Sequence, residues 1–334
     1  MGDDDRLAAA YVLPLRWAEG GDVDELAGYL RWVSAQVEET IVVDGSPAPV
    51  FAAHAAAFGA SVRHLPPDPD LGFAMGKVNG VITGLRACSR ERVVIADDDV
   101  RYDRGSLQRT VELLGNADLV RPQNYFDQLP WHARWDTARS LLNRVFTGDP
   151  ALPVGDFPGT LAVRRSSFHS SGAYDGDALF ENLELIRTVQ AAGGTVHTPL
   201  DLYVARRPPS TAHFLSQRVR QAYDDFAIPA RMGVWLSILP ATAWLLARRR
   251  GRWVGAGAAA SVALAELGRR RANGRDHFPP SGSLLAPAWL TERAICSWLA
   301  VGAKARGGVR YGEVRLPVAG NSVASLSERK PIVL

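Results

Sequence analysis

Apolar and polar positions in the first 120 residues alternate between two periods. Ala8–Leu15 (AAAYVLPL) is a short apolar run of strand length. Asp24–Gln36 switches to helical spacing, with Leu26, Tyr29, Leu30 and Val33 on one face. Thr40–Val43 (TIVV) predicts a buried strand that ends at Asp44-Gly45-Ser46, and Pro49–Gly59 an Ala-rich helix stopped by Gly59. Ser61–Leu65 predicts a strand, Pro66–Gly72 a loop, Gly76–Cys88 a helix and Arg92–Ala96 a strand. This βαβα alternation predicts an α/β fold, with a mostly parallel central sheet flanked by helices. Farther on, Leu119–Gln123 and Pro158–Val163 read as strands. Trp131–Phe146, Phe180–Ala192 and Phe214–Phe226 read as helices.

Beyond residue 230 the pattern changes. Met232–Ala247 carries no charge, Trp253–Gly268 has only Glu266, and Leu284–Ala303 is apolar except around Thr291-Glu292-Arg293. Arg248-Arg249-Arg250, Arg252 and Arg269-Arg270-Arg271 flank these runs. Two domains follow, an α/β one over 1–230 and a basic, apolar helical tail over 231–334. The overall charge of +3 hides this asymmetry. Residues 1–230 hold 22 Lys/Arg against 30 Asp/Glu, a balance of −8, whereas 231–334 hold 16 against 5, a balance of +11. A basic tail fits nucleic acid or an anionic membrane surface, and runs this rich in tryptophan favour the membrane and argue against nucleic acid. Sixteen helical residues reach roughly 24 Å, short of a hydrocarbon core of about 30 Å. The tail is therefore expected to lie in or re-enter the interface with arginines at the headgroups. The alternative is that these are buried helices of a soluble domain. Cys88 and Cys296 read as free thiols in a reducing compartment. The acidic start, MGDDDRLAAA, shows no signal peptide and no myristoylation pattern.

The chemistry-bearing residues cluster at predicted strand ends, where open α/β sheets bind ligands. In ADDDVRYD, three carboxylates follow a buried strand. If the segment is extended, Asp97 and Asp99 point to one side and Asp98 to the other. Two convergent carboxylates suit Mg2+ or Mn2+ with phosphate oxygens. An acidic turn capping the helix near Ser106 explains the same residues, and from them alone the two readings stand level. Asp44 caps the next element or accepts hydrogen bonds from a base or ribose. Lys77, the only lysine in residues 1–230, lies at a helix start against the helix dipole. It faces either phosphate or solvent. Glu181 and Glu184 share a helix face near Asp175 and Asp177, and Glu181 is a candidate general base. Gln217 and Arg220, one turn apart, suit a diphosphate clamp or a headgroup contact.

The order of these residues is more specific than any one of them. Asp44-Gly-Ser, Gly76-Lys77-Val78-Asn79, Asp97-Asp98-Asp99, Phe180-Glu181-Asn182, Gln217-x-x-Arg220 and then apolar helices resemble the family 2 type of GT-A glycosyltransferases. Within it, the chain is most similar to the ceramide glucosyltransferase-like branch, over about residues 8–250. The resemblance implies a GT-A (Rossmann-like) domain on the cytoplasmic face of a membrane. It implies inverting transfer of a sugar from a UDP- or GDP-sugar to a lipid-linked hydroxyl. Pro14, Asp44, Lys77, Asn79, Asp97, Asp98, Gln217 and Arg220 would then bind the donor, and Asp97 and Asp99 would hold Mg2+ or Mn2+. Trp131, His132 and Trp135 fall in the acceptor-facing region. Two positions depart from the pattern. The family's base position is Asn182, which leaves Glu181 or Asp177 as the base, and its closing tryptophan is Gln221. These departures also fit a membrane-bound homologue that binds without transferring. A sugar nucleotidyltransferase would want a Gly-rich basic loop after the first strand, where this chain has Pro14-Leu15-Arg16-Trp17.

Overall fold

The computed structural model describes residues 6–19, 21–148, 155, 157–172, 174–312 and 314–329. The acidic start at 1–5 lies outside the described residues. The elements run in the order β1 (Leu7–Leu15), α1 (Val23–Ser34), β2 (Val37–Asp44), α2 (Ala48–Phe58), β3 (Arg63–Leu65), α3 (Gly76–Ala87), β4 (Arg92–Ala96), β5 (Val100–Arg101), α4 (Arg104–Leu113), β6 (Leu119–Val120), β7 (Gln123–Phe126), α5 (Trp131–Phe146), β8 (Thr160–Arg164), α6 (Arg165–Ser171), α7 (Glu181–Ala191), β9 (Val196–His197), β10 (Tyr203–Arg206), α8 (Thr211–Tyr223), α9 (Pro229–Ala247), α10 (Gly251–Arg270), α11 (Pro280–Leu284), α12 (Ala286–Ala305), β11 (Val309–Tyr311), β12 (Val314–Leu316) and α13 (Val323–Ser327). They form two compact units. The first comprises Met1–Pro122, Pro158–His197 and Asn321–Leu334, and the second Gln123–Phe157 and Thr198–Gly320.

The first unit is built on a sheet of order β3-β2-β1-β4-β8-β6-β9. All neighbours pair in parallel except β8, which runs antiparallel to both β4 and β6. The fold is therefore mixed α/β with a mostly parallel central sheet flanked by helices, the class expected from the alternation. Strands buried on both faces read as continuous apolar runs. Ala9–Leu13, Val42, Val93 and Val94 are accordingly buried, and a fully buried Leu or Val contributes about 1.5–3 kcal/mol. The chain moves outward from β1 through β2 to β3, then returns to the other side of β1 as β4. The reversal between β1 and β4 is a topological switch point, and it puts the carboxyl ends of β1, β2 and β4 on one edge. Helix α3 lies close against β1. A Cβ on Gly84 would stand 2.3 Å from Val12 Cγ1, and one on Gly80 would stand 2.8 Å from Pro14 Cβ. These two glycines let the helix approach, and so bring its first turn, with Lys77, to the carboxyl edge.

In the second unit β7 pairs in parallel with β10. Its core joins Ala138, Leu141 and Leu142 of α5 to Tyr203, Ala265, Phe278, Ala286 and Trp289. The run at Leu284–Ala303 thus belongs in part to a packed interior, since α12 buries Trp289, Arg293, Ala294, Ser297 and Ala300. The same run leaves Leu284, Ile295, Trp298 and Leu299 exposed, so the buried-helix alternative describes only one side of it. Helix α9 differs. Its most apolar 18 residues have a mean hydropathy of 1.3 with 6% buried, and the 19-residue helix is long and apolar enough to cross a membrane by length and composition. Trp244, Leu246 and Trp253, near the turn into α10, are exposed, and Arg248 and Arg250 lie over the Trp244 ring.

Candidate functional site

Three charged side chains meet at the carboxyl edge of the first unit's sheet. Lys77 Nζ, in the first turn of α3, is 2.6 Å from Asp97 Oδ1, just after β4, and 2.9 Å from Glu181 Oε1 at the start of α7. Asn182 Oδ1 lies 3.5 Å from the same ammonium. All three charged groups keep partial access to solvent, at 17%, 24% and 13% exposed for Lys77, Asp97 and Glu181. Burial alone would lower the lysine's pKa. Asp97 and Glu181 outweigh that effect and hold it well above the ordinary value, so Lys77 is charged throughout the physiological range. The two carboxylates also explain how a lysine is tolerated at a helix start.

Asp97–Asp99 is a turn and not an extended segment, because Val100 N–H donates to the Asp97 carbonyl at 3.1 Å. The alternation expected for an extended chain therefore does not apply, and each carboxylate takes its own environment. Asp97 bonds Lys77, while Asp98 Oδ2 accepts from Trp17 Nε1 at 2.5 Å. Asp99 is half-buried beside them. None of the three caps the next helix. That role falls to Asp103, which forms a capping box with Ser106. Gly159 faces Asp97, with its carbonyl accepting from Asp97 N–H at 2.8 Å. A Cβ there would stand 2.8 Å from Asp97 Oδ2, so the glycine keeps that side of the carboxylate clear of a side chain. Hard carboxylate oxygens next to such a cradle fit Mg2+ or Mn2+ with most of its remaining ligands supplied by water and phosphate. Among the described residues no group of three or more His, Cys, Asp or Glu is placed to hold a metal unaided.

Asp44, at the end of β2, is fully engaged. Its Oδ2 meets His54 Nδ1 at 2.7 Å and His64 Nε2 at 3.1 Å, and its Oδ1 accepts from Ser46 N–H at 2.9 Å. Burial would raise its pKa. The bonds from Ser46, His54 and His64 outweigh burial and hold the carboxyl below its usual range. A depressed carboxyl stabilises the fold above its unfolded pKa of about 3.9 and stops doing so as pH falls through the lowered value. Asp44→Asn is therefore expected to flatten the acid limb of stability below about pH 4, as urea titrations across that range would show. Trp17 ties this cluster to the aspartate turn. Its backbone N–H donates to Ser46 Oγ at 2.9 Å, its indole to Asp98, and its ring meets His54 edge-on at 5.0 Å. Trp17, His54 and His64 were not singled out in the sequence. Two histidines within 20 residues of IVVDGS, in a chain with seven, were the available signal.

The other expected positions are placed as follows. Pro14 sits in β1 opposite Val43. Asn79 bonds the Phe73 backbone through both ends of its amide, at 3.3 and 3.0 Å, and so pins the loop before α3. Asp177 accepts from Ala74 N–H at 3.0 Å. Asn182 Nδ2 donates to the Pro158 carbonyl at 2.9 Å. Glu184 does not act with Glu181. It is fully buried and accepts from Asn321 N and Nδ2, and burial raises its pKa. Gln217 and Arg220 belong to the second unit, where Arg220 Nη1 donates to Gln217 Oε1 at 3.0 Å and the guanidinium covers Tyr311. Beside them, Arg218 is buried between Asp136 and Glu292, and Gln221 Oε1 accepts from it at 2.9 Å. Gln221 thus joins an ion network. Trp131 is exposed, His132 bonds the Pro209 carbonyl, and Trp135 donates to Glu292.

No protein-family model matches the chain, and no curated protein matches it. Among solved structures, glucosyl-3-phosphoglycerate synthase from Mycobacterium tuberculosis in complex with Mn2+, UDP and phosphoglyceric acid is 18% identical. The match covers 61% of this chain and 72% of that one, with a TM-score of 0.44. The mannosyltransferase PcManGT from Pyrobaculum calidifontis, in complex with GDP-Man and Mn2+, is 16% identical over 88% of this chain and 87% of that one, with a TM-score of 0.47.

Proposed function

We propose that the protein is an inverting, metal-dependent GT-A glycosyltransferase that moves a sugar from a UDP- or GDP-sugar to the hydroxyl of a lipid-linked acceptor. The observation that carries this reading is the meeting of Lys77, Asp97 and Glu181 at the carboxyl edge beside a topological switch point. Residues 1–230 form the catalytic domain and 231–334 the membrane-associated tail at the cytoplasmic face, with α9 and the Arg248–Arg252 turn as the lipid contact. Support for the tail's role is the exposed, apolar surface of α9 next to tryptophans and arginines.

In this mechanism Asp97 and Asp99 would hold Mg2+ or Mn2+, which would supply charge neutralisation for a leaving diphosphate. Asp98 and Pro14 line the nucleoside side of the edge, with Trp17 fixing Asp98 against Ser46, while Asp44, whose carboxylate is fully buried, supports that edge through Ser46, His54 and His64. Lys77 meets the donor phosphates, and Gln217 and Arg220 are assigned to donor binding. Asn79 shapes the Phe73 loop that leads into α3. Glu181 takes the acceptor proton, with Asp177 the alternative base. Asn182 cannot take it, because an amide is not a base and its nitrogen is committed to the Pro158 carbonyl.

A second reading, a homologue that binds donor without transferring, is favoured by one observation. Glu181 is ion-paired to Lys77, and such pairing weakens a base. Incubating the protein with a panel of UDP- and GDP-sugars, Mn2+ and total lipid extract, and reading products by mass spectrometry, separates the two. One glycosylated lipid, lost in Glu181→Gln, is the expected result. Donor binding by calorimetry without any product would support the second reading.

A further inference from the structure

Lys77 does more at this site than a phosphate ligand needs to. Its ammonium bridges two carboxylates from elements far apart in sequence, Asp97 after β4 and Glu181 on α7. A lysine one residue into a helix is opposed by the dipole, and two half-buried carboxylates on one edge repel each other. The bridge relieves both conflicts at once.

We infer that Lys77 is a placeholder cation, which occupies Asp97 and quenches Glu181 until metal and diphosphate arrive together. The inference rests on the metal–diphosphate reading above. A divalent ion on Asp97 Oδ2, the side that Gly159 keeps clear, would stand close to the ammonium 2.6 Å from Oδ1, and the two cations would repel each other. Metal binding therefore works against the Lys77–Asp97 contact. The flexible four-carbon stem of Lys77 allows it to move away, and a diphosphate would offer new acceptors. Metal alone gives the ammonium no new partner, so metal binding without nucleotide is opposed and metal binding with nucleotide is favoured. The same movement draws Lys77 away from Glu181 and restores that carboxylate as a base only when a donor is in place. Metal and nucleotide then bind with positive coupling, and the coupling resides in one side chain.

The test is a Mn2+ titration followed by electron paramagnetic resonance of the free ion, with and without UDP or GDP. Wild type is expected to bind Mn2+ weakly alone and at least about tenfold more tightly with the nucleotide, which corresponds to about 1.4 kcal/mol of coupling. Lys77→Met is expected to bind Mn2+ alone at least tenfold more tightly than wild type, and to gain less than threefold from nucleotide. Lys77→Gln repeats the test if the methionine variant does not fold. Arg16→Met controls for the general field. Arg16 Nη1 lies 3.7 Å from where a Gly76 Cβ would stand, so this variant removes a positive charge near the start of α3. Equal gains in the Arg16 and Lys77 variants would overturn the placeholder in favour of bulk electrostatics. Equal Mn2+ affinity in wild type and the Lys77 variants would overturn it while leaving the metal site standing. No Mn2+ binding by any of them, with or without nucleotide, would remove the metal–diphosphate reading and the inference with it.

Discussion

Asp97→Asn is expected to lower sugar transfer about a thousandfold, the equivalent of about 4 kcal/mol of transition-state stabilisation, with little change in thermal stability. The substitution keeps the shape of the side chain and removes the charge. That charge is the proposed metal contact and also the strongest anchor of Lys77, at 2.6 Å. Asp99→Ala should fall with it. Asp98→Asn is the internal control, because its carboxylate accepts a hydrogen bond from Trp17 and an amide oxygen can accept the same bond. A loss of less than tenfold is expected there. Steady-state rates on the donor and acceptor found by the lipid screen, together with melting curves for all three variants, decide the matter. An Asp97→Asn enzyme with more than a tenth of wild-type activity would remove the metal–diphosphate assignment.

The second large effect is on folding. Gly84→Ala is expected to destabilise the first unit by about 2 kcal/mol, a typical cost for overpacking a filled core. A Cβ at residue 84 would meet Val12 Cγ1 at 2.3 Å, with Cγ2 and Cβ at 3.3 and 3.4 Å. Val12 is fully buried in the central strand, and its branched side chain has few rotamers to move into. The better helix propensity of alanine, up to about 1 kcal/mol over glycine, offsets only part of this. A fall in Tm of roughly 4–8 °C follows for a domain of this size, read by calorimetry or circular dichroism. Because α3 carries Lys77, the displaced helix should also weaken nucleotide binding. Unchanged melting would show that β1 and α3 can separate freely, and that Gly84 does not set their distance.

The elements up to β4 were legible because the strands are short apolar runs and the helices carry apolar faces, and both signals are local. Trp131–Phe146 is read correctly to its ends for the same reason. Strand direction is not local. Nothing in PGTLAV announces that β8 runs against β4 and β6. The sequence leaves the aspartate segment open between an extended strand exit and a turn, because a single backbone bond, from Val100 to Asp97, decides its shape. Lys77 was noticed for its isolation in the sequence, but its partners lie 20 and 104 residues away, and only the sheet order brings them together. His54 escaped notice because one polar residue in an Ala-rich helix gives no pattern. Its meaning comes from Asp44 across the fold. In the tail, composition could not distinguish α9, almost wholly exposed, from α12, which packs Trp289, Ala294 and Ala300 while leaving Ile295, Trp298 and Leu299 exposed.

The first unit is closed by the last stretch of the chain. Glu184, buried in α7, takes its two hydrogen bonds from Asn321, 137 residues later, and Asp175 takes Arg329. During synthesis at about 5–20 residues per second, α7 therefore waits roughly 7 to 27 seconds for that partner. Through that interval a carboxylate destined for the interior has only water as its donor. Translation speed through residues 184–321, and any stop codon short of 321, would thus act on the packing of the helix that begins with Glu181.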